Sequence, residues 1–431
     1  MTRGMPTVRR LDQGTKHHRS EKFIHFRWHA WPVFSASKMD RIRRLRSRAV
    51  PLRVMVSLPR KALGNMAGLN WEAPVKRLGV SAVVVIGVVL SSVVPASAST
   101  AWRVQAVPKP PGSTLLGGVS CPVRGNCTAV GFSTAHGNPH ALAEHWDGST
   151  WAIQPVPEPA GAVQTILDGL SCTSATSCTA VGTYYPQPTP GVGYLPLAEH
   201  WDGIRWAIQP TPIPAGSPQA QLSVVSCASA TSCTAVGFYY VDAGGNSGPL
   251  AEHWNGAHWA IQHVPLPALA SGGTLRGVSC PTTSDCTAAG SYDTFNQNTG
   301  LFAARWNGTR WTSQVLPHPA GNYFLLGPVS CWQPGRCVAV GGAFNGSTGR
   351  PEESIVERQT GTSWALQHDA APAHTTLGGV ACPSARSCTA VGGDVLTWPP
   401  PSPGTTVAEH WDGTRWALQA APRRPGRTAR H

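Results

Sequence analysis

The chain has 431 residues, among them 46 glycines, 39 prolines, 17 tryptophans and 12 cysteines, which excludes a mainly helical fold and suits many short strands joined by turns. Its net charge of +13 is concentrated in residues 1–77, which carry 18 Lys+Arg against 4 Asp+Glu, whereas the remainder carries 16 against 17. The body therefore has no electrostatic footprint for a polyanion, and nucleic-acid binding is not expected.

The basic leader, 1–77, ends at Lys76–Arg77 and runs into an apolar stretch, Leu78–Val94, followed by Pro95-Ala96-Ser97-Ala98. A positive flank, an apolar run and an Ala-x-Ala site read as a secretory signal over 78–98, cleaved after Ala98. The same 17-residue run is just long enough to span a bilayer as an uncleaved anchor. A signal belongs at an N-terminus, so a start at Met66 would leave a compact leader and make 1–65 a mis-assigned extension. The other reading of 1–65 is a disordered cytoplasmic tail on an anchored protein. Both readings expose the body outside the cytoplasm, as a secreted or cell-surface protein that meets the membrane only through this segment.

From residue 101 the chain repeats. All twelve cysteines fall into six C-x5-C pairs: Cys121/Cys127, Cys172/Cys178, Cys227/Cys233, Cys280/Cys286, Cys331/Cys337 and Cys382/Cys388. Their first members are 51, 55, 53, 51 and 51 residues apart, inside a frame close to L-x-G-V-S-C-x5-C-T-A-V-G. A variable loop follows, then L-A-E-H-W-[DN]-G-x-x-W-A-[IL]-Q and a Pro-rich connector. Repeat five keeps only the second tryptophan, Trp364, with Gln359 at the first position. Each unit has four strand-like segments, A (around Val119), B (around Val130), C (around Glu144) and D (around Ile153), bounded by Gly, Pro, Asn and Asp.

Six four-stranded units of about fifty residues predict an all-β, six-bladed β-propeller over 101–421, since a lone sheet of this size buries too little core. Ala101–Gln105 matches strand D, giving seven D segments for six A-B-C sets and leaving open which is surplus. A basic, disordered tail is expected over 422–431. The cysteine pairs in an exported chain read as disulfides, one per blade, with the two sulfurs opposite each other at a hairpin end; the spacing does not suit zinc. By the chain-entropy account each ring this small contributes about 2 kcal/mol at best.

In W-[DN]-G-x-x-W the Asp or Asn side chain is placed to cap a tight C–D turn, the Gly supplies positive φ, and the second Trp is expected to pack between blades. This turn resembles the Asp-box of sialidase-like (BNR) propellers, a resemblance that implies a structural and not a catalytic role. The frame over 101–421 also looks like the Cys-paired, Trp-rich repeat proteins secreted by actinobacteria, a group whose function is not established. The pairs Glu144-His145, Glu199-His200, Glu252-His253 and Glu409-His410 recur around a ring and cannot converge on one centre. They are expected to bond across blades, and neither a metal site nor a cofactor is expected.

In a symmetric repeat, function belongs to the residues that break the pattern. The position two residues ahead of the V-S-C segment reads Gly117, Asp168, Ser223, Arg276, Gly327 and Gly378, so Asp168 and Arg276 are candidate ligand groups if strand A lines the channel. The B–C loops gather aromatics, of which Tyr185, Tyr194, Tyr240, Tyr292 and Trp398 are expected to stand clear of the core and suit glycan stacking or a protein interface. Phe132 and Tyr239, right after the glycine, read equally well as extensions of strand B. The sequence thus points to a monomeric, non-enzymatic binding or scaffold protein for a cell-wall glycan or surface protein. A glycoside-active enzyme by fold analogy and a purely structural envelope protein are the alternatives.

Overall fold

Strand A and strand B of every repeat are joined by a short disulfide-closed hairpin, and the whole architecture grows from that unit. In the computed structural model the described residues are 102–421, apart from 109, 111, 135–136, 188–192, 242–244, 296–297, 320–322 and 394–405. The basic leader 1–77, the expected signal segment 78–98, the 422–431 tail and Trp398 lie outside the described residues.

The described strands form six four-stranded antiparallel sheets, each in the order A-B-C-D and each drawn from one repeat. Blade 1 comprises strands Thr114–Val123, Asn126–Ser133, His140–Trp146 and Trp151–Gln154. The A strands of blades 2 to 6 are Ala162–Ser174, Ala220–Ser229, Ala270–Thr282, Tyr323–Gln333 and Thr376–Ser384. Successive A strands pack against one another from blade 1 to blade 6, which makes A the innermost strand. This is the expected six-bladed β-propeller.

All six expected disulfides are present, one per blade: Cys121–Cys127, Cys172–Cys178, Cys227–Cys233, Cys280–Cys286, Cys331–Cys337 and Cys382–Cys388. They close the A–B hairpin end as expected, with Cys172 opposite Cys178 and Cys227 opposite Cys233 in register, and one sulfur of each pair is core as well. The second member of each pair, Cys127, Cys178, Cys233, Cys286, Cys337 and Cys388, is at most 2% exposed. It stands on strand B, whose alternation turns it into the core between blades. Cys178 packs in one cluster with Val130 of blade 1, Cys233 with Val181 of blade 2, Cys286 with Val236 of blade 3. Cys337 likewise packs with Ala289 and Leu301 of blade 4, Cys388 with Val338 and Val340 of blade 5, and Cys127 with Val107. Each disulfide therefore ties strand A to the apolar layer that joins its blade to the preceding one, and is structural and not a ligand-facing group.

Each blade carries a β-bulge on strand A. The register steps from Leu116↔Gly131 to Gly118↔Val130 in blade 1, from Leu167↔Gly182 to Gly169↔Val181 in blade 2, and likewise in the others. A bulge leaves its extra residue outside the ladder and re-aims its side chain. The residues so released are Gly117, Asp168, Ser223, Arg276, Gly327 (with Pro328) and Gly378, the variable positions of the repeat. The bulge also explains the glycine of C-T-A-V-G. A Cβ on Gly237 would sit 1.9 Å from the Gln221 carbonyl oxygen, and one on Gly131 1.9 Å from that of Leu115.

On the disulfide face, Asp147 Oδ1 accepts the amides of Ser149 and Thr150, both at 2.8 Å, and Gly148 takes φ 100°. Those bonds, the Thr150 amide first, hold the Asp147 carboxyl well below the usual carboxylate range. The second tryptophan of each repeat is core: Trp206 and Trp259 are each 4% exposed. In blades 2, 3 and 4 its indole N–H donates to the final glutamine of the preceding D strand, Trp206 to Gln154 and Trp259 to Gln209 at 3.0 Å, Trp311 to Gln262 at 2.8 Å, whereas Trp416 Nε1 has no partner among the described residues. The surplus D segment is the N-terminal one. Residues 102–105 join none of the six sheets, yet Trp102 donates to Gln419 at 2.9 Å and Trp151 to Gln105 at 3.1 Å.

Among the described residues the Glu-His pairs, Glu409 excepted, do not bond across blades as expected. Each histidine lies near a threonine of its own blade, as His145 does near Thr128 at 3.4 Å. Glu144, Glu199, Glu252, Glu357 and Glu409 are fully buried, and the first four have no hydrogen-bond partner on either oxygen among the described residues. Only Glu409 reaches across, accepting the Ala370 amide at 2.6 Å. Ala370 is third after Gln367; the corresponding residues facing the other four are Pro108, Pro157, Pro212 and Pro317, and proline has no N–H to give. Burial accordingly raises Glu199, Glu252 and Glu357 to about 8 and Glu144 and Glu409 to about 7.

Candidate functional site

The bulge residues surround the channel and touch their neighbours: a Cβ on Gly117 would lie 3.2 Å from the Asp168 carbonyl oxygen, and one on Gly327 3.8 Å from the Arg276 Cβ. Around the ring, blades 2, 3 and 4 contribute Asp168, Ser223 and Arg276, whereas blades 6 and 1 contribute only glycine and blade 5 Gly327 with Pro328. One half of the channel is therefore polar and the other bare. No ion pair joins Asp168 to Arg276, and the Arg276 Nε is buried with no hydrogen-bond partner among the described residues. Desolvation raises the Asp168 carboxyl to about 7. It also lowers Arg276, while the nearby Tyr323, Tyr240, Asp293 and Tyr194 favour its charge.

Most of the aromatic residues beside this polar arc come from strand B, which runs past its glycine to Pro186 in blade 2 and Tyr240 in blade 3, while Tyr194 immediately precedes strand C of blade 2, Leu195–Trp201. Tyr185, Tyr194, Phe238 and Tyr240 form one cluster. Its ring centroids are 5.7 Å apart for Tyr185–Tyr194, 6.4 Å for Tyr194–Tyr240 and 5.8 Å for Phe238–Tyr240. The expectation that these tyrosines stand clear of the core needs correction, because Tyr194 and Tyr240 are each only 6% exposed. Strand alternation turns Tyr240 inward, and Tyr194, just ahead of strand C, packs edge to face against it. Tyr185 is half-buried, and its hydroxyl is pushed up to about 12 by burial first and by neighbouring Asp168 and Tyr240 second.

Five of the residues singled out in the sequence, Asp168, Tyr185, Tyr194, Tyr240 and Arg276, thus gather at one end of the channel. Tyr292 stands apart from them, its ring 6.3 Å from Phe302 and over Gly300. Sequence reasoning missed Tyr323 and Asp293, which lie near Arg276. Their signal was position, since Tyr323 opens strand A and Asp293 extends strand B. The described residues hold no cluster of His, Cys, Asp and Glu able to bind a metal ion.

A second break in the pattern lies between blades 4 and 5, where Gln359 replaces a tryptophan. A cavity of about 240 Å³ opens there, lined by Arg305, Gln314, Gln359 and Trp364 among others. Arg305 is held by Asp285 at 2.6 Å.

No protein-family model matches the chain, and no curated protein sequence matches it. Solved structures of similar form include YCF48 from Cyanidioschyzon merolae, 13% identical over 73% of this chain and 87% of that one, with a TM-score of 0.42. A protein of unknown function from Dyadobacter fermentans is 11% identical over 69% and 94%, TM-score 0.46. The Trypanosoma rangeli sialidase is 10% identical over 69% of this chain and 54% of its own, TM-score 0.46. These likenesses concern architecture alone.

Proposed function

We propose that this chain is an extracytoplasmic, non-enzymatic binding propeller that engages a cell-wall glycan or a protein partner at the B–C end of its channel. The observation that carries the reading is the convergence of Asp168, Arg276 and the Tyr185 cluster from blades 2, 3 and 4. A guanidinium with an unpartnered Nε suits an acceptor on the ligand, and a carboxyl near 7 beside tyrosine hydroxyls suits its hydroxyl or amide groups. The six disulfides suit an oxidising compartment. No helix among the described residues is long and apolar enough to cross a membrane. The W-[DN]-G-x-x-W segment is, in this reading, an Asp-box-type structural turn, and the protein acts as a monomer without cofactor.

A glycoside-active reading is less well supported. A tyrosine nucleophile requires easier ionisation, whereas Tyr185 is shifted the other way. Glycan and peptide arrays probed with the wild-type chain and with Arg276→Ala and Asp168→Asn test the proposal, alongside a glycosidase screen. The expected result is a ligand class retained by the wild type and lost by both variants, without turnover. Binding that survives both substitutions, or hydrolysis by the wild type, overturns it.

A further inference from the structure

The cavity between blades 4 and 5 arises from three coordinated departures from the repeat. In blades 1, 2, 3, 4 and 6 the ring of the second tryptophan packs against that of the first, with centroids 5.8–5.9 Å apart. In blade 5 Gln359 stands across from Trp364 in that pairing, so the volume of most of an indole is missing beside the Trp364 ring. The other two departures belong to blade 4. Arg305 takes the place of the histidine, and Asp285 takes a place held by asparagine or serine in blades 1, 2, 3 and 6. Arg305 turns to Asp285, its Nε and Nη2 both donating to Oδ2 at 3.0 and 2.6 Å.

That turn strands Thr287. In blades 1, 2, 3 and 6 the threonine at this position lies within 3.4–3.5 Å of the histidine Nδ1. With arginine in the histidine's place, the Thr287 hydroxyl has no partner among the described residues, and neither has the Gln359 amide oxygen. Both side chains are almost wholly buried, Thr287 1% and Gln359 3% exposed. Both nevertheless line the cavity of about 240 Å³, together with Arg305, Gln314 and Trp364. A buried polar atom left without a hydrogen bond is costly, and two of them facing one space call for an occupant.

The chemistry of the lining defines that occupant. The space is many times the roughly 10–15 Å³ that one water needs and smaller than the roughly 300–1,000 Å³ of pockets for drug-sized ligands, which fits one ring and not a chain. Arg305 is balanced by Asp285, so the site favours a neutral ligand over an anion. The Gln359 acceptor, the Thr287 hydroxyl and the remaining guanidinium N–H groups suit a molecule with several hydroxyls, and the Trp364 indole suits the apolar face of a ring. We propose that this cavity binds one neutral sugar ring, either free or at the end of a glycan. The site lies between strand D of blade 4 and the C–D turn of blade 5, and it does not rest on the reading of the channel.

Calorimetric titration of the full chain with glucose, galactose, mannose and N-acetylglucosamine tests the proposal, with glucuronate and inorganic phosphate as charged comparisons. At least one neutral sugar should bind saturably at one site per chain, at least tenfold more tightly than either charged probe. A short oligosaccharide ending in that sugar identifies the source: tighter binding than the free sugar means a glycan end, equal or weaker binding a free sugar. Gln359→Trp installs the residue that the other five blades carry and should abolish binding with the melting temperature unchanged or raised. Thr287→Val follows blade 5, where Val338 holds that position, and should weaken binding about threefold to tenfold. Hydrogen exchange should show sugar-dependent protection at Trp311–Val315 and Ser363–Leu366. The proposal is overturned if no neutral sugar binds saturably, if a charged probe is preferred, or if either variant, folded, retains full binding. Protection at the bulges of blades 2, 3 and 4 in place of these two strands would assign the sugar to the channel and equally overturn it.

Discussion

Replacing one buried glutamate by glutamine should change the pH dependence of stability in a calculable way. Glu252 is fully buried and has no partner on either oxygen among the described residues; burial raises it from 4.5 to about 8. A group raised on folding binds its proton more tightly in the native state. Its contribution is therefore fully present below the unfolded value of 4.5 and is lost as pH rises toward 8. Between pH 5 and pH 8 the loss is about 3–4 kcal/mol for this single group. Glutamine matches the protonated side chain in shape and does not ionise. Glu252→Gln should thus be within about 1 kcal/mol of the wild type at pH 5 and about 3–4 kcal/mol more stable at pH 8. For a body of about 320 residues that difference is on the order of 5 °C in melting temperature, readable by tryptophan fluorescence under non-reducing conditions. Parallel pH profiles for wild type and variant would refute the reasoning and mean that solvent or a partner stabilises the carboxylate.

Gly237→Ala should destabilise by about 3 kcal/mol or more, because the new methyl would collide with a backbone carbonyl and not with a side chain that can turn aside; folded yield and melting temperature report it. Trp259→Ala should lower stability by about 3–5 kcal/mol, and Gln209→Ala by about 1–2 kcal/mol through the indole N–H it strands, both measured by chemical denaturation. Tyr240→Ala should also destabilise, by about 3 kcal/mol, because the ring is cluster core and not a free loop aromatic.

The fold was legible because its determinants are local and repeated six times. C-x5-C closes a hairpin, W-[DN]-G-x-x-W makes a turn, and four strand-like segments recur at one spacing. The pairing of the cysteines could be read from that spacing, but the burial of Cys178 or Cys233 could not, since it depends on which face of strand B meets the neighbouring blade. The channel position was legible as a break in the repeat, but its cause was not, since a bulge shows only when two strands are paired. Tyr240 misleads for a related reason: a tyrosine after a glycine reads alike as loop or strand, and only the length of strand B decides, while Tyr194 is buried by Tyr185 and Tyr240, neighbours in space that its own loop does not reveal. The unpartnered glutamates follow from proline three places after a glutamine on a neighbouring blade, a relation between distant residues.

The footprint of a bound ligand tests the central claim most directly. Hydrogen exchange of the full chain, with and without a ligand drawn from the arrays, should show protection at the bulges of blades 2, 3 and 4 and at the ends of the adjoining B strands, Tyr185 and Tyr240 included. Protection confined to the disulfide face, at the A–B hairpins and C–D turns, would contradict the account.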